Sequence, residues 1–312
     1  MIVDLPDTTV SKIARSLVSV REEGGAVALG RVLTLVIVTS HGLEEDAIEA
    51  ANDASREHPM RVIVLMTDEE GPSTLDAQIR VGGDAGASEV VVLRASGDAA
   101  SNQESLVTGL LLPDAPVVAW WPDNPPPVPS QSPIGRMAQR RITDAATKPF
   151  SKDRLASLGQ CHEPGDTDLA WTRLTHWREQ LAAVLDQPPF EKVTAVEIVG
   201  SGSSPSTGLL AAWLRLQLDV PVDWHYAPKD EWPHGIQRVR LTRASGDILL
   251  ERSNAVDATL TQPGQPSHDI VLPRRTLREC LAEELRRLDP DLLYGRVITT
   301  GWELLGPPRS TV

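Results

Sequence analysis

The run Val32-Leu33-Thr34-Leu35-Val36-Ile37-Val38 decides the fold class of the first half of this chain. It is apolar and β-branched without alternation, which is typical of a strand covered on both faces of a parallel sheet. Residues 43–54 follow with leucine and alanines at helical spacing, and residues 61–66 form a second apolar run. The order of strand, helix and strand predicts a βαβ unit with this run at its centre.

Further apolar segments predict additional strands for this sheet. They fall at residues 78–81, 89–93 and 117–121, with a helical stretch at 105–112. Because 312 residues exceed what one ordinary hydrophobic core fills, we expect two domains. We predict that residues 1–150 form an α/β domain whose open, mostly parallel sheet is flanked by helices.

The second half carries a different pattern. A helical stretch at 167–185 precedes a strand at 193–199, a loop at 200–205 and another helix. Alternating apolar and polar residues at 239–241 and 256–260 are typical of half-exposed antiparallel strands. We therefore predict that residues 151–312 form an α+β domain with a partly antiparallel sheet.

Composition narrows the classes of partner. The net charge is −13, from 43 acidic and 30 basic residues, and this charge repels nucleic acid and anionic lipid. No apolar run approaches the roughly 20 residues of a membrane span, and the first residues carry no basic segment of a secretory signal. Cys161 and Cys280 lie far apart in sequence. We expect a cytoplasmic protein without a disulfide framework, a nucleic-acid partner or a membrane partner.

The Gly200–Pro205 loop begins like a dinucleotide-binding turn. Gly200 and Gly202 follow a strand and precede a helix, but Pro205 stands where the third glycine belongs. The alternative interpretation is a tight turn in which Ser204 caps the helix. No Gly-x-Ser-x-Gly elbow, Walker-type Gly-Lys-Ser/Thr or zinc-ligand spacing occurs. We predict no catalytic residue, no cofactor and no metal.

An interface is suggested by the aromatic pair Trp120-Trp121, which precedes a proline-rich run over residues 122–129. Strand alternation would turn one indole outward, as an interface anchor, while the alternative places both in the core. A helix predicted over residues 134–145 carries Arg136, Arg140 and Arg141, which could clamp a carboxylate or phosphate. The alternative is a solvated face that balances the net charge.

Several strings in order resemble the OpcA family. One is Leu112-Pro113-Asp114-Ala115-Pro116-Val117-Val118-Ala119-Trp120-Trp121-Pro122, and the others lie at residues 21–25, 30–36, 51–59, 78–86, 133–136, 140–144, 164–171 and 281–288. The resemblance covers nearly the whole chain and is weakest over about residues 187–264. It implies a bacterial assembly protein that binds glucose-6-phosphate dehydrogenase and supports its active oligomer.

The resemblance implies a non-catalytic, allosteric partner of that dehydrogenase rather than an enzyme. It favours the interface interpretation, for which the candidate contact residues are Trp120, Trp121, Asp123, Arg136, Arg140, Arg141, Asp166 and Trp171. The alternative is a regulatory module or weak enzyme that binds a sugar phosphate or nucleotide through the Gly200–Pro205 loop. The oligomeric state of the chain stays open.

Overall fold

Two β-sheets organise the structure, a computed structural model that describes residues 1–23, 30–82, 89–147, 152–228, 232 and 235–308. Each sheet lies in its own unit. Unit 1 comprises Met1–Asp144, Gly165–Thr167 and Leu277–Pro290, and unit 2 comprises Ala145–Pro164, Asp168–Thr276 and the chain from Asp291 on. The domain boundary predicted near residue 150 falls at 148–151, outside the described residues.

The sheet of unit 1 has eight strands in the order β1-β4-β5-β3-β2-β6-β7-β8. Their bounds are β1 (Ile2–Leu5), β2 (Leu33–Val38), β3 (Met60–Asp68), β4 (Thr74–Val81), β5 (Glu89–Ser96), β6 (Val117–Trp121), β7 (Arg140–Thr143) and β8 (Asp166–Asp168). The pairs β2–β3, β3–β5, β2–β6 and β6–β7 are parallel, whereas β1–β4 and β4–β5 are antiparallel. This confirms the predicted mostly parallel sheet.

The described α-helices are α1 (Val10–Glu23), α2 (Glu44–Ala54), α3 (Gln103–Thr108), α4 (Pro133–Met137), α5 (Lys152–Gln160), α6 (Leu169–Thr172), α7 (Thr175–Leu185), α8 (Pro205–Leu218), α9 (Leu277–Arg286), α10 (Leu292–Arg296) and α11 (Trp302–Leu304). Helix α9 belongs to unit 1 and packs against α2. The central strand β2 is buried from Leu33 to Ile37. Its unbroken apolar run matches this burial, because both faces of the sheet are covered.

The helix predicted over residues 134–145 was wrong beyond Met137. Helix α4 ends there, and β7 instead pairs parallel with β6, with Ile142 opposite Trp120. Backbone hydrogen bonds to β6 satisfy residues that a longer helix would have bonded internally. Pairing between distant segments therefore outweighed the local helical pattern.

Unit 2 contains a six-stranded sheet in the order β10-β9-β11-β12-β13-β14. The strands are β9 (Ala195–Ser201), β10 (Val222–Ala227), β11 (Ile236–Thr242), β12 (Ile248–Arg252), β13 (Asp257–Thr261) and β14 (His268–Val271). Among the described strand pairs of this sheet only β9–β10 is parallel, and α8 forms its crossover. This confirms the predicted partly antiparallel sheet. Its core packs Trp171, Trp177 and Trp224 among aliphatic side chains.

Candidate functional site

In unit 1 a crevice opens at the carboxyl ends of the central strands. From β2 the chain crosses to β3 on one side, and later returns through α3 to β6 on the other side of β2. Open α/β sheets bind ligands at such a reversal of strand order. The crevice has a volume of about 450 Å³, and its lining includes Thr39, Trp121 and Asp123. We call it the switch-point crevice.

Asp123 is the centre of a polar network in this crevice. The Thr39 hydroxyl donates to Asp123 Oδ1 at 2.7 Å, and the Ser40 backbone N–H donates to the same oxygen at 3.3 Å. The Ser40 hydroxyl donates to Asp123 Oδ2, and Asn124 Nδ2 donates to Ser40 Oγ at 3.1 Å. The carboxylate therefore holds the end of β2 to the segment that follows β6.

The helix that follows β2 starts with negative charge. Its first turn contains Glu44, Glu45 and Asp46, and Glu44 Oε2 accepts the Gly42 backbone N–H at 2.6 Å. Burial opposes ionisation of Glu44, but the backbone N–H groups of Glu44 and Gly42 and the Arg94 guanidinium together lower its pKa. An ionised carboxylate thus occupies the helix end that binds the phosphate in dinucleotide-binding folds.

The aromatic pair does not face solvent. Trp120 is 0% and Trp121 3% exposed, so the expectation that one indole is an exposed anchor was wrong. β6 lies between β2 and β7, and the sheet is covered on both faces at this strand. Alternation therefore sends the two rings into two buried layers rather than into core and solvent. Trp121 packs with Ile134 and Ala138.

Arg140 and Arg141 are buried ion-pair partners on β7. Arg140 donates through Nε and Nη2 to Glu284 and through Nη1 to the Asp289 carbonyl at 2.8 Å. Arg141 donates through Nε to Asp166 and through Nη1 to the Ala138 carbonyl at 3.0 Å. The side chains of both pairs are 12% exposed or less. The expectation that Arg136, Arg140 and Arg141 lie on one helix was wrong, because Arg140 and Arg141 lie on a strand.

Two candidate residues remain. Arg136 is exposed; its Nη1 donates to the Gln131 carbonyl at 2.8 Å, and Nη2 lies 3.5 Å from Glu104. Trp171 in unit 2 is 1% exposed and donates through Nε1 to Asp291 at 2.8 Å. Of the eight candidate contact residues, the structure therefore exposes Arg136 and buries the others. It brings Trp121 and Asp123 together in the crevice.

Two family models match the chain. One is described as the glucose-6-phosphate dehydrogenase subunit N-terminal domain and matches residues 51–162; the other is described as the C-terminal domain of that subunit and matches residues 164–298. The chain belongs to the OpcA family. Both halves of this OpcA chain therefore carry the family pattern, including residues 187–264, where the resemblance of the sequence is weakest.

Solved structures show only a distant likeness to this OpcA chain. A glucose-6-phosphate 1-dehydrogenase from Mycobacterium avium aligns with 13% identity and a TM-score of 0.46, covering 88% of this chain and 91% of its own. A putative oxidoreductase from Magnetospirillum magnetotacticum aligns with 12% identity and a TM-score of 0.43, covering 88% and 99%. These scores establish no function. No curated protein matches this chain.

In the same OpcA chain, the glycines of the Gly200–Pro205 loop serve close packing. A Cβ at Gly200 would lie 2.6 Å from Thr207 Oγ1, and a Cβ at Gly202 would lie 3.3 Å from the Tyr226 ring. The Ser204 N–H donates to the Ser201 carbonyl at 3.2 Å, which forms the predicted tight turn. Ser204 is the N-cap residue of α8, as the alternative interpretation expected, but its side chain makes no capping hydrogen bond.

Sequence reasoning missed several residues that shape these sites. Glu284, the partner of Arg140, lies 144 positions away and carries no local signal. Thr39 and Ser40 directly follow the central strand, and that placement could have marked them as crevice residues. Within the described ranges, His, Cys, Asp and Glu form no group of three that could hold a metal ion. None of the described helices is long and apolar enough to cross a membrane.

Proposed function

We propose that this chain is a non-catalytic partner of glucose-6-phosphate dehydrogenase that promotes the active oligomer of that enzyme. The observation that carries the proposal is the pair of family models, both described as domains of a glucose-6-phosphate dehydrogenase subunit, which together span residues 51–162 and 164–298. The chain is a subunit associated with this dehydrogenase rather than an independent protein of unrelated role.

The chemistry of the switch-point crevice supports a role without catalysis. A dinucleotide in such a crevice places its pyrophosphate at a helix N-terminus. Here the corresponding helix begins with Glu44, Glu45 and Asp46, and the carboxylate of Asp123 occupies the crevice wall. Glu44 already accepts the Gly42 N–H at this helix end, so a pyrophosphate would have to displace its carboxylate before a nucleotide could bind.

The mechanism needs no reaction on this chain. A protein that binds the assembled dehydrogenase more tightly than the separate subunits shifts the equilibrium toward assembly by the difference in binding free energy. A tenfold shift in this equilibrium requires a difference of about 1.4 kcal/mol, which a few contacts at an interface supply.

The contact surface that we propose is the crevice rim, which we define by five exposed residues at or near the switch-point crevice: Asn124, Pro127, Gln131, Pro133 and Arg136. The buried candidates Trp121 and Asp123 line the crevice beside this rim, and the ion pairs of Arg140 and Arg141 hold β7 in the same unit. The rim carries a cationic side chain in a chain of net charge −13, so it favours an acidic patch on the dehydrogenase.

Light scattering on a sizing column tests the assembly role. This chain is mixed with glucose-6-phosphate dehydrogenase from the same cell, and dehydrogenase rates are measured on the same fractions. Co-elution with an increased oligomer mass and a higher rate is the expected result. Separate elution with an unchanged rate would contradict the proposed function.

The variant Arg136→Glu tests the rim. We expect it to weaken binding to the dehydrogenase by roughly tenfold, because a reversed charge at an interface costs more than a lost rim contact. Its stability should stay within about 0.5 kcal/mol of the parent, since the Arg136–Glu104 pair is half exposed. Titration by light scattering measures the affinity, and urea unfolding measures the stability.

The matched control is Arg56→Glu, which makes the same charge change in unit 1. Arg56 is 78% exposed and pairs with Asp53 on the turn that follows α2. Arg56 lies toward the amino edge of the sheet, because α2 leads from the carboxyl end of β2 back to the amino end of β3. Arg136, in contrast, bonds to Gln131 and Glu104 near the carboxyl edge. Equal weakening by both variants would mean that net charge, and not the rim, governs binding.

A further inference from the structure

Unit 2 contains a cavity of about 510 Å³ that is lined by arginines. Arg173, Arg252, Arg274 and Arg275 contribute to its wall, and none of its described lining residues is acidic. Its apolar side includes Trp177. Such a concentration of positive charge stands out in a chain of net charge −13. We call this space the arginine cavity.

Arg252 is a buried cation with no carboxylate partner among the described residues. Its residue is 4% exposed, its Nη2 donates to the Leu272 carbonyl at 2.6 Å, and its Nε has no hydrogen-bond partner among the described residues. None of the described carboxylates lies within ion-pair distance of it, whereas the buried Arg61, Arg140 and Arg141 of unit 1 each pair with one. Burying an unpaired charge costs several kcal/mol, which an anionic ligand would offset.

A second guanidinium converges on the same point. A Cβ built on Gly235 would lie 3.9 Å from Arg252 Nη1 and 3.9 Å from Arg274 Nε. Burial, and then the positive charge of Arg274, lower the pKa of Arg252 to about 10. Arg252 thus stays protonated at neutral pH while it repels its neighbour. Each guanidinium presents a fork of N–H donors that can recognise a phosphate through paired hydrogen bonds, and here two of them border one small space.

The amino end of α8 also faces the arginine cavity. Ser204 precedes this 14-residue helix without a side-chain cap, Pro205 stands at its first position, and Ser203, Ser204 and Ser206 line the cavity. Pro205 has no N–H, and the Thr207 N–H donates to the Ser204 carbonyl at 3.3 Å. It is the helix dipole that favours an anion there. The contrast with α2, whose own Glu44 occupies its amino end, marks α8 as the helix suited to a phosphate.

We propose that the arginine cavity binds the phosphate group of a small phosphate monoester, with Arg252 and Arg274 around the phosphate and the amino end of α8 beside it. The monoester dianion matches two guanidiniums, and the cavity volume suits a metabolite of modest size. Trp177 faces the remainder of the ligand. All the described lining residues belong to unit 2. The proposal does not depend on whether the chain acts on the dehydrogenase.

Calorimetric titration of the full chain tests this site, with inorganic phosphate and glycerol 3-phosphate as probes. Glycerol, and sodium chloride at matched ionic strength, serve as controls. We expect both phosphate compounds to bind, glycerol 3-phosphate the more tightly, and both to raise the melting temperature. Equal stabilisation by sodium chloride, or no binding of glycerol 3-phosphate, would overturn the proposal.

Variants separate binding from folding. Arg252→Met should weaken glycerol 3-phosphate binding by about tenfold or more, because a charge-assisted hydrogen bond is lost. Its melting temperature without phosphate should equal or exceed that of the parent, since the variant no longer buries an unpaired charge. Unchanged affinity in Arg252→Met would overturn the proposal.

Arg274→Gln keeps the proposal testable if Arg252→Met does not fold, and it should also weaken the binding of glycerol 3-phosphate. The control is Arg215→Met on the same helix α8. Arg215 pairs with Asp219 at the carboxyl end of the helix, 2.7 Å away, and its loss should leave the affinity unchanged. Equal weakening by Arg274→Gln and Arg215→Met would contradict a phosphate site at the amino end.

Discussion

At the residue scale, the Arg140–Glu284 pair shows how a residue expected at an interface instead serves the fold. The pair joins β7 to α9 within unit 1, and its side chains are 5% and 6% exposed. Arg140 also donates to the Asp289 carbonyl. Loss of either partner leaves a buried charge without compensation, so changes here act on stability before they act on any partner protein.

The variant Glu284→Gln tests this role. We expect it to reduce the free energy of unfolding by about 3–5 kcal/mol, because Arg140 would remain buried and charged. The double variant Arg140→Met, Glu284→Leu should recover much of that loss. Urea unfolding measures both, and Glu104→Gln, which breaks the half-exposed pair with Arg136, should cost less than about 1 kcal/mol. A double variant as unstable as Glu284→Gln would contradict this account.

At the element scale, the amino end of α2 contributes to the stability of the fold in a pH-dependent way. The pKa of Glu44 is lowered in the folded chain, since hydrogen bonds from backbone N–H groups and Arg94 outweigh the effect of burial. A lowered folded-state pKa means that the stabilisation is complete above the unfolded-state pKa of about 4.3. It disappears as the pH falls through the folded-state value.

The variant Glu44→Gln should therefore lose about 0.3–1 kcal/mol at pH 7 and little at a pH below the folded-state pKa. Urea unfolding over a pH series measures the difference from the parent chain. The control is Glu49→Gln on the exposed side of the same helix, which should change little at either pH. A loss for Glu44→Gln that is independent of pH would rule out the charge as its cause.

Some secondary-structure elements can be predicted from the local sequence pattern alone. β2, β3 and β5 carry apolar runs that predict buried parallel strands, and each is buried along most of its length. The segment after α4 carried a helical pattern, yet Arg140–Thr143 form a strand. The composition of a central strand is enough to predict it. In contrast, β7 forms a strand because its backbone pairs with that of β6, which the local sequence does not reveal.

At the scale of the whole molecule, unit 1 is assembled from segments far apart in the chain. Leu277–Pro290 returns to it, and Arg278 and Arg286 pair with Asp53 and Glu57 at 3.3 and 3.0 Å. We expect the fragment of residues 1–150 to unfold at a lower urea concentration than unit 1 in the full chain. The reason is that this fragment leaves Arg140 buried without Glu284.

Adding a peptide of residues 277–290 in trans should raise the melting temperature of this fragment in a concentration-dependent way. The same peptide with Glu284→Gln should do so less effectively. Differential scanning calorimetry measures both, and a fragment whose melting temperature is unaffected by either peptide would show that α9 adds nothing to unit 1.

The amino-acid sequence by itself determined the class of both sheets, the central strands of unit 1 and the family, because these depend on composition and on strings that are local in the chain. Only the tertiary structure decided that Trp120 and Trp121 are both buried, that Arg140 meets Glu284, and that Arg252 has no carboxylate partner in the described part of the chain. Burial and ion pairing depend on groups brought together from distant positions, and no local pattern encodes which residue will be the neighbour.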